Sequence, residues 1–256
     1  MRLLWGISEP AERGPKPSLA ADEIVAAAIA IADEQGLEAL SMRKVADHLG
    51  VGAMTLYGYL QAKRELLDLM FDRVAGEENV SFPAGATWRQ KLELIARATW
   101  ASHQRHPWFH RLPWTRAPLG PNVLDASERA LAAVSGLGLS GREMAWVLSL
   151  ISAYVNGAAR VAVDAVEIAS ETNLDDTKWW GAVSPILEEI WDPDRFPTLS
   201  SREMEGAWDE SAEDERYFLA GAISSFEFGL ARVLDGIEAF IRRSRDITGE
   251  ISEPEG

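Results

Sequence analysis

An all-α fold is expected for this chain of 256 residues, and three observations lead to it. Apolar residues recur at three- and four-residue intervals between breakers. No alternating apolar and polar stretch has the length of a convincing strand. The breaks themselves are glycines or Pro-rich and acidic segments. Composition agrees: 47% hydrophobic and 25% charged residues describe an ordinary globular protein, long enough for one large domain or two smaller ones. The absence of cysteine removes disulfides, thiolate nucleophiles and Cys-ligated zinc, and four histidines leave few metal ligands, so no metal and no cofactor is expected. The first residues turn acidic too soon for a signal peptide, and no segment reaches the ~18 consecutive apolar residues of a membrane helix. A cytoplasmic protein without a membrane partner is the expectation.

Residues 1–17 hold three prolines, with Arg13 and Lys16 in Arg13-Gly14-Pro15-Lys16-Pro17, and read as a flexible basic arm. Ser18 is a candidate N-cap for a helix from Leu19 to Gln35, with Ile24, Ala28, Ile31 and Ala32 on one face and Gly36 at its end. Ser41 caps a second helix, Met42 to Leu49, whose buried stripe is Met42, Val45, Ala46 and Leu49. Gly50 ends it, and a short third helix spans Ala53 to Leu60, with Leu56 and Leu60 inward and Thr55, Tyr57 and Tyr59 facing elsewhere. A fourth starts at Lys63 and stops before Gly76. These make a first domain over residues 18–75.

Residues 76–256 form a second, larger helical domain. Helices are expected at Trp88 to Arg105, Val123 to Ser135, Ser140 to Ala169, Lys178 to Trp191 and along the last quarter. Glu203 to Glu215, with seven carboxylates and no cation, reads as a solvated loop. In the final helix Phe226, Leu230, Val233, Leu234, Ile237, Phe240 and Ile241 make a continuous apolar seam. Dimerisation is expected through the Ser140–Ala169 and Ser211–Arg245 helices, whose seams are wide enough to serve both core and partner, with Leu230 and Ile237 in the second.

Two short amphipathic helices joined at Gly50 are what a helix-turn-helix requires, since glycine permits the sharp reversal that makes the second helix protrude. Such a helix fits a major groove ~12 Å wide, bringing Thr55, Tyr57 and Tyr59 to base edges or phosphates, with Arg43, Lys44, Lys63 and Arg64 flanking it. The alternative is a helical hairpin in an all-α core with merely solvated cations. Net charge is −15. Residues 1–75 carry 8 basic and 11 acidic groups (−3), residues 76–256 carry 17 and 29 (−12), and residues 41–64 carry 4 and 1 (+3). The acidity therefore lies mostly away from the helix-turn-helix, and excludes general coating of nucleic acid rather than site-specific binding.

Over residues 24–70 the chain resembles the TetR family of one-component transcriptional repressors. The carriers are Ala28 to Gly36, Leu40-Ser41-Met42-Arg43-Lys44-Val45-Ala46, Leu49-Gly50-Val51, Thr55-Leu56-Tyr57 and Lys63-Arg64-Glu65-Leu66-Leu67. The remainder is similar to the tetracycline-repressor-like C-terminal domain through Arg105-His106-Pro107-Trp108, Arg116 to Asn122, Phe226 to Leu230 and Leu234 to Glu238. The resemblance implies a homodimer with a recognition helix in each of two successive major grooves. It also implies Arg43, Ala53, Thr55, Tyr57, Tyr59 and Lys63 at double-stranded operator DNA, Tyr57 and Lys63 on phosphate and Thr55 and Tyr59 reading bases.

A small-molecule effector is expected in the second domain. Eight of the ten tryptophans lie between residues 88 and 191. Aromatic side chains line ligand pockets while a few polar groups fix orientation. Candidate ligand contacts are Trp100, His103, Trp114, Arg116, Trp146, Asn156 and Trp179, against the reading that most tryptophans are core. His103, His106 and His110 share a helical face, but Pro107 interrupts it and no carboxylate accompanies them, which argues against a metal site. A second class, an all-α enzyme or binding module that never touches DNA, is disfavoured because no nucleophile–base pair, carboxylate pair or Gly-rich phosphate loop is recognisable.

Overall fold

The computed structural model describes residues 2–7, 20–112, 116–204 and 216–250, and the regular elements among them are all helical. In chain order they are α1 (Ala21–Gln35), α2 (Met42–His48), α3 (Ala53–Tyr57), α4 (Lys63–Glu77), α5 (Trp88–Arg105), α6 (Pro121–Val134), α7 (Gly141–Thr172), α8 (Asp176–Ile190), α9 (Pro197–Met204) and α10 (Tyr217–Glu250), with 3₁₀ turns at Leu37–Ala39 and Pro107–Arg111. They form two compact units, residues 1–156 with 230–256, and residues 157–229.

In the first unit, α1 to α4 close around Ile24, Ala28, Val45, Leu56, Leu66 and Met70, all fully buried. Each large apolar side chain so buried contributes about 1.5–3 kcal/mol. Ser41 caps α2 as expected, its hydroxyl accepting from the Lys44 N–H at 3.2 Å. After α2 the Gly50 N–H reaches the Asp47 carbonyl at 3.2 Å and the Val51 N–H reaches Ala46 at 3.0 Å, with Gly50 at φ +68°. That paired bonding satisfies the last carbonyls of α2 and turns the chain sharply into α3.

Several boundaries differ from expectation, and one helix is added. The Ser18 cap lies outside the described residues; α1 begins at Ala21, where the Glu23 carboxylate accepts from the Ala20 N–H at 2.9 Å. α3 stops at Tyr57 because Gly58 is a poor helix former and the chain tightens there, Tyr59 N–H bonding Leu56 O at 2.9 Å. α4 runs through Gly76 because α6 packs against it: a Cβ on Gly76 would lie 2.7 Å from Asn122 Cγ. α9 is an additional helix, opened rather than broken by Pro197, whose fixed φ suits a first turn.

Residues 2–7 do not form a free arm. Leu3 packs on the first-unit core and the Trp5 indole donates to Leu119 O at 3.0 Å. The basic segment Arg13 to Pro17, Trp114 and residues 205–215 of the acidic loop lie outside the described residues.

α7 and α10 are, by length and composition, apolar enough to cross a membrane. Both instead carry one buried stripe, Val147, Ile151, Val155, Ala159 and Val163 on α7 and Phe226, Leu230, Leu234, Ile237 and Ile241 on α10. The stripe of α10 packs within one chain, which is the core half of the role expected for its seam. Leu230 and Ile237 are each 2% exposed within one chain, so they belong to its own core. In the second unit Asp176 accepts from the Phe218 N–H at 2.8 Å, and Trp179, Trp180, Tyr217 and Phe218 form one ring cluster.

Candidate nucleic-acid interface and ligand cleft

α3 presents a compact exposed surface: Thr55 is exposed, Tyr57 is 47% exposed and Ala53 partly so. Met54, which periodicity did not single out, is 80% exposed on the same helix. A helix pinned by one buried residue, Leu56, leaves its other positions outward, and that was the available signal. Tyr59 lies beyond the helix end, half-buried against the core. Of the two side chains expected to read bases, Thr55 is the one on the exposed helix.

The flanking cations are placed by their neighbours. Arg43 is exposed beside Asp47 at 3.9 Å, and the Lys44 ammonium is tied to the Gln35 side chain. Lys63, at the first position of α4, donates from Nζ to Leu40 O at 2.6 Å. An ammonium has three donors, so this tether to the residue before the Ser41 cap leaves two for other partners.

The other end of α4 faces a cleft of about 450 Å³ in the first unit, walled by α4 to α7 and the 3₁₀ turn. Its surface is mainly aliphatic and alanine-rich, with Phe71 and Phe109 as its rings; Glu78, Thr99, Ser127 and Ser152 are its hydrophilic side chains. Glu78 was missed from sequence. It continues the stripe Phe71, Val74, Ala75 at i, i+3, i+4 and i+7, a position that should have marked it as inward. Its Oε2 accepts from the Thr99 hydroxyl at 3.0 Å, while Oε1 is buried without a hydrogen-bond partner. Burial pushes this carboxyl up to about 7; the Thr99 and Ser102 hydroxyls and, more distantly, Arg129 pull the other way.

The residues expected to hold a ligand are dispersed. The described tryptophans do not line this cleft. Trp100 is partly buried on α5, Trp146 is 61% exposed on α7, and Trp179 is in the ring cluster of the second unit. Arg116 borders a small hollow of about 80 Å³ with Arg64, Asp68 and Leu112, against the DNA-binding helices. His103 and Asn156 do meet, Nε2 to Oδ1 at 2.9 Å. Burial lowers the His103 imidazole pKa, partly offset by Asn156, so the neutral ring donates from Nε2.

His106 belongs elsewhere. Its Nδ1 is 2.8 Å from Asp33 on α1 and its Nε2 is 3.0 Å from Glu77 at the end of α4, while the Trp108 indole donates to the same Asp33 at 2.6 Å. A neutral imidazole has one N–H, so both contacts are hydrogen bonds only in the imidazolium form. Burial opposes ionisation of Glu77, but the bonds from His106 and Arg105 hold its carboxyl below the ordinary range. His103, His106 and His110 therefore do not converge. The junction is closed a second time by Asp72, 5% exposed, which accepts from Asn122 Nδ2 and the Val123 N–H at the start of α6, both at 3.0 Å.

Residues 24–70 match the family model described as bacterial regulatory proteins, tetR family, and residues 82–241 match the tetracyclin repressor-like C-terminal domain. The chain is 39% identical over 246 residues to the HTH-type transcriptional repressor DrrR1 of Streptomyces coeruleorubidus, covering 96% of this chain and 87% of that one. Among solved structures it is similar to apo ActR from Streptomyces coelicolor, with a TM-score of 0.67, 28% identity and coverage of 90% and 100% of the two chains. It is likewise similar to ActR in complex with actinorhodin, with a TM-score of 0.66, 28% identity and coverage of 89% and 99%. The chain belongs to the TetR family of transcriptional regulators.

Proposed function

We propose that this TetR-family protein is a ligand-responsive repressor that grips a palindromic operator as a homodimer through α3 and is released by a small molecule held in the α4–α7 cleft. The observation that carries the reading is α4 itself: its first residue, Lys63, is tied to Leu40 at the entry to the helix-turn-helix, and the residue after its last turn, Glu78, lines the cleft. In this reading Ala53, Thr55 and Tyr57 enter the major groove, while Arg43, Lys44 and Lys63 meet phosphate and Tyr59 supports the end of α3. Two-fold symmetry then sets half-sites about one helical turn, ~34 Å, apart. The site of action is the cytoplasm, where operator DNA is.

Dimerisation would use apolar side chains that one chain leaves uncovered in the second unit, among them Ile186 and Ile190 on α8 and Ile223 and Phe228 on α10, which are 59%, 64%, 45% and 67% exposed. Exposed apolar area of that kind is characteristic of association surfaces. The complex of ActR with actinorhodin supports a small-molecule effector here. A mobility-shift titration on DNA flanking the protein's own gene tests the proposal. The dimer should retard that DNA at nanomolar concentration and lose it when Thr55 and Tyr57 are both changed to Ala; a folded dimer that binds the flanking DNA no better than random DNA would overturn it.

A further inference from the structure

We propose that the α4–α7 cleft selects an apolar, ring-bearing molecule that carries a protonated amine, with the ammonium seated on the Glu78 carboxylate. The inference rests on the cleft being the effector site and adds the chemistry of its occupant.

Three features of the cleft lead there. Its volume, about 450 Å³, suits a molecule of several rings, and its walls offer Phe71, Leu92, Ile95, Leu148 and Ile151 as apolar contacts. Its single ionisable lining residue is a carboxyl, and no Lys, Arg or His stands among the lining residues. One oxygen of that carboxyl is bonded by Thr99 and the other, Oε1, is buried with no partner in hydrogen-bond geometry; the Ser102 hydroxyl acts on the carboxyl as a neutral donor and brings no counter-charge. An ionised carboxylate in an apolar wall is disfavoured unless a cation or several donors compensate it. Arg129 on α6 acts on it only at a distance. The missing group is therefore a counter-charge with a proton to donate, which an ammonium supplies in one contact.

A neutral hydroxyl does not satisfy the same need. It could bond equally to Ser127 or Ser152, and on Glu78 it would leave the negative charge buried and uncompensated. An anionic ligand would meet like charge in a low-dielectric wall. The net charge of −15 adds a long-range preference for cations at the entrance.

The test uses three probes of one ring system, 9-(aminomethyl)anthracene, 9-(hydroxymethyl)anthracene and 9-anthracenecarboxylate, titrated by fluorescence into the full-length dimer at pH 8. The amine should bind at least tenfold more tightly than the alcohol and the carboxylate weakest. In Glu78→Gln the amine's advantage should fall to about twofold or less while the alcohol's affinity is kept, which also reports that the cleft is intact. A second readout needs no variant: at pH 5.5 the advantage should shrink in the native protein, where Glu78 is protonated. The other groups facing Glu78, the Thr99 and Ser102 hydroxyls of α5 and Arg129 of α6, do not change charge between the two pH values. An alcohol that binds as well as the amine, or an amine preference that survives Glu78→Gln, overturns the amine assignment and leaves the cleft as the effector site. Failure of all three probes to bind overturns both.

Discussion

Replacing Glu78 by Gln should stabilise the empty protein, and should do so only above mildly acidic pH. The side chains match in shape, and the amide oxygen can still accept from Thr99. What is lost is a charge that the fold disfavours. Burial raises the carboxyl from its ordinary 4.5 to about 7, and at 1.36 kcal/mol per pH unit a rise of that size amounts to about 3 kcal/mol. The sign follows from linkage. The unfolded chain releases this proton near 4.5 and the folded chain near 7, so ionisation destabilises the fold increasingly between those values and fully above the upper one. Glu78→Gln should therefore gain about 3 kcal/mol at pH 8 and under about 1 kcal/mol at pH 5. At about 2–4 °C per kcal/mol for a chain of this size, that is roughly 6–12 °C in Tm at pH 8 and a few degrees at pH 5. Thermal unfolding followed by far-UV circular dichroism, at one protein concentration because a dimer's Tm depends on it, measures both. Equal shifts at the two pH values, or a variant less stable at pH 8, would show that Glu78 is not held in the environment described.

Asp72→Ala strands the Val123 N–H and the Asn122 amide at the start of α6 and should cost about 2–4 kcal/mol, read as a lower urea midpoint at unchanged slope. Lys63→Ala should reduce the slope of log K against log salt for operator binding by about 1 while leaving sequence preference unchanged; an unaltered slope removes Lys63 from the phosphate contacts. Ile190→Asp and Ile223→Asp should each shift sedimentation toward monomer with native helicity, whereas Leu230→Asp, in the core of a single chain, should lose helicity instead. A folded monomer from Leu230→Asp would restore that residue to the dimer seam.

Local chemistry made the first unit legible. The period of Ile24, Ala28 and Ile31, the Ser41 cap and Gly50 each act within a few residues, so α1 and α2 could be placed almost to their ends and α3 at its start. The cleft was hidden because its walls are Ala, Leu and Ile contributed by four helices and the 3₁₀ turn, residues that any helical core uses. Tryptophan count did not lead to the cleft: it carries no information on location, and Trp108 lies in the core of the DNA-binding helices while Trp146 is largely exposed. The α10 seam was read as serving both core and partner, and its Leu230 and Ile237 are covered within one chain. A periodic stripe says that a face is covered, but not whether the chain or its twin covers it.

How the cleft could govern α3 follows from how tightly α4 is held at both ends. A ligand shifts a protein only through unequal affinity for two conformations, so α6 and α4 must move together for cleft occupancy to be felt at the DNA. Their contact allows little slip: a Cβ on Gly120 would lie 2.2 Å from Asp72 Oδ1, so the α6 start sits directly on that α4 carboxylate. One residue before Glu78, Glu77 is bonded to His106, which in turn holds Asp33 on α1. Adjacent residues of one helix end therefore face the two sites, Glu78 the cleft and Glu77 the clamp on α1. An occupant that pushes α6 displaces Asp72 with it, and α4 can yield only by shifting as a rod against the His106 clamp, carrying Lys63 and its tether to Leu40 at the far end. Close-packed contacts of this kind exchange between discrete arrangements rather than deform smoothly, which is what a switch between DNA-bound and released states requires.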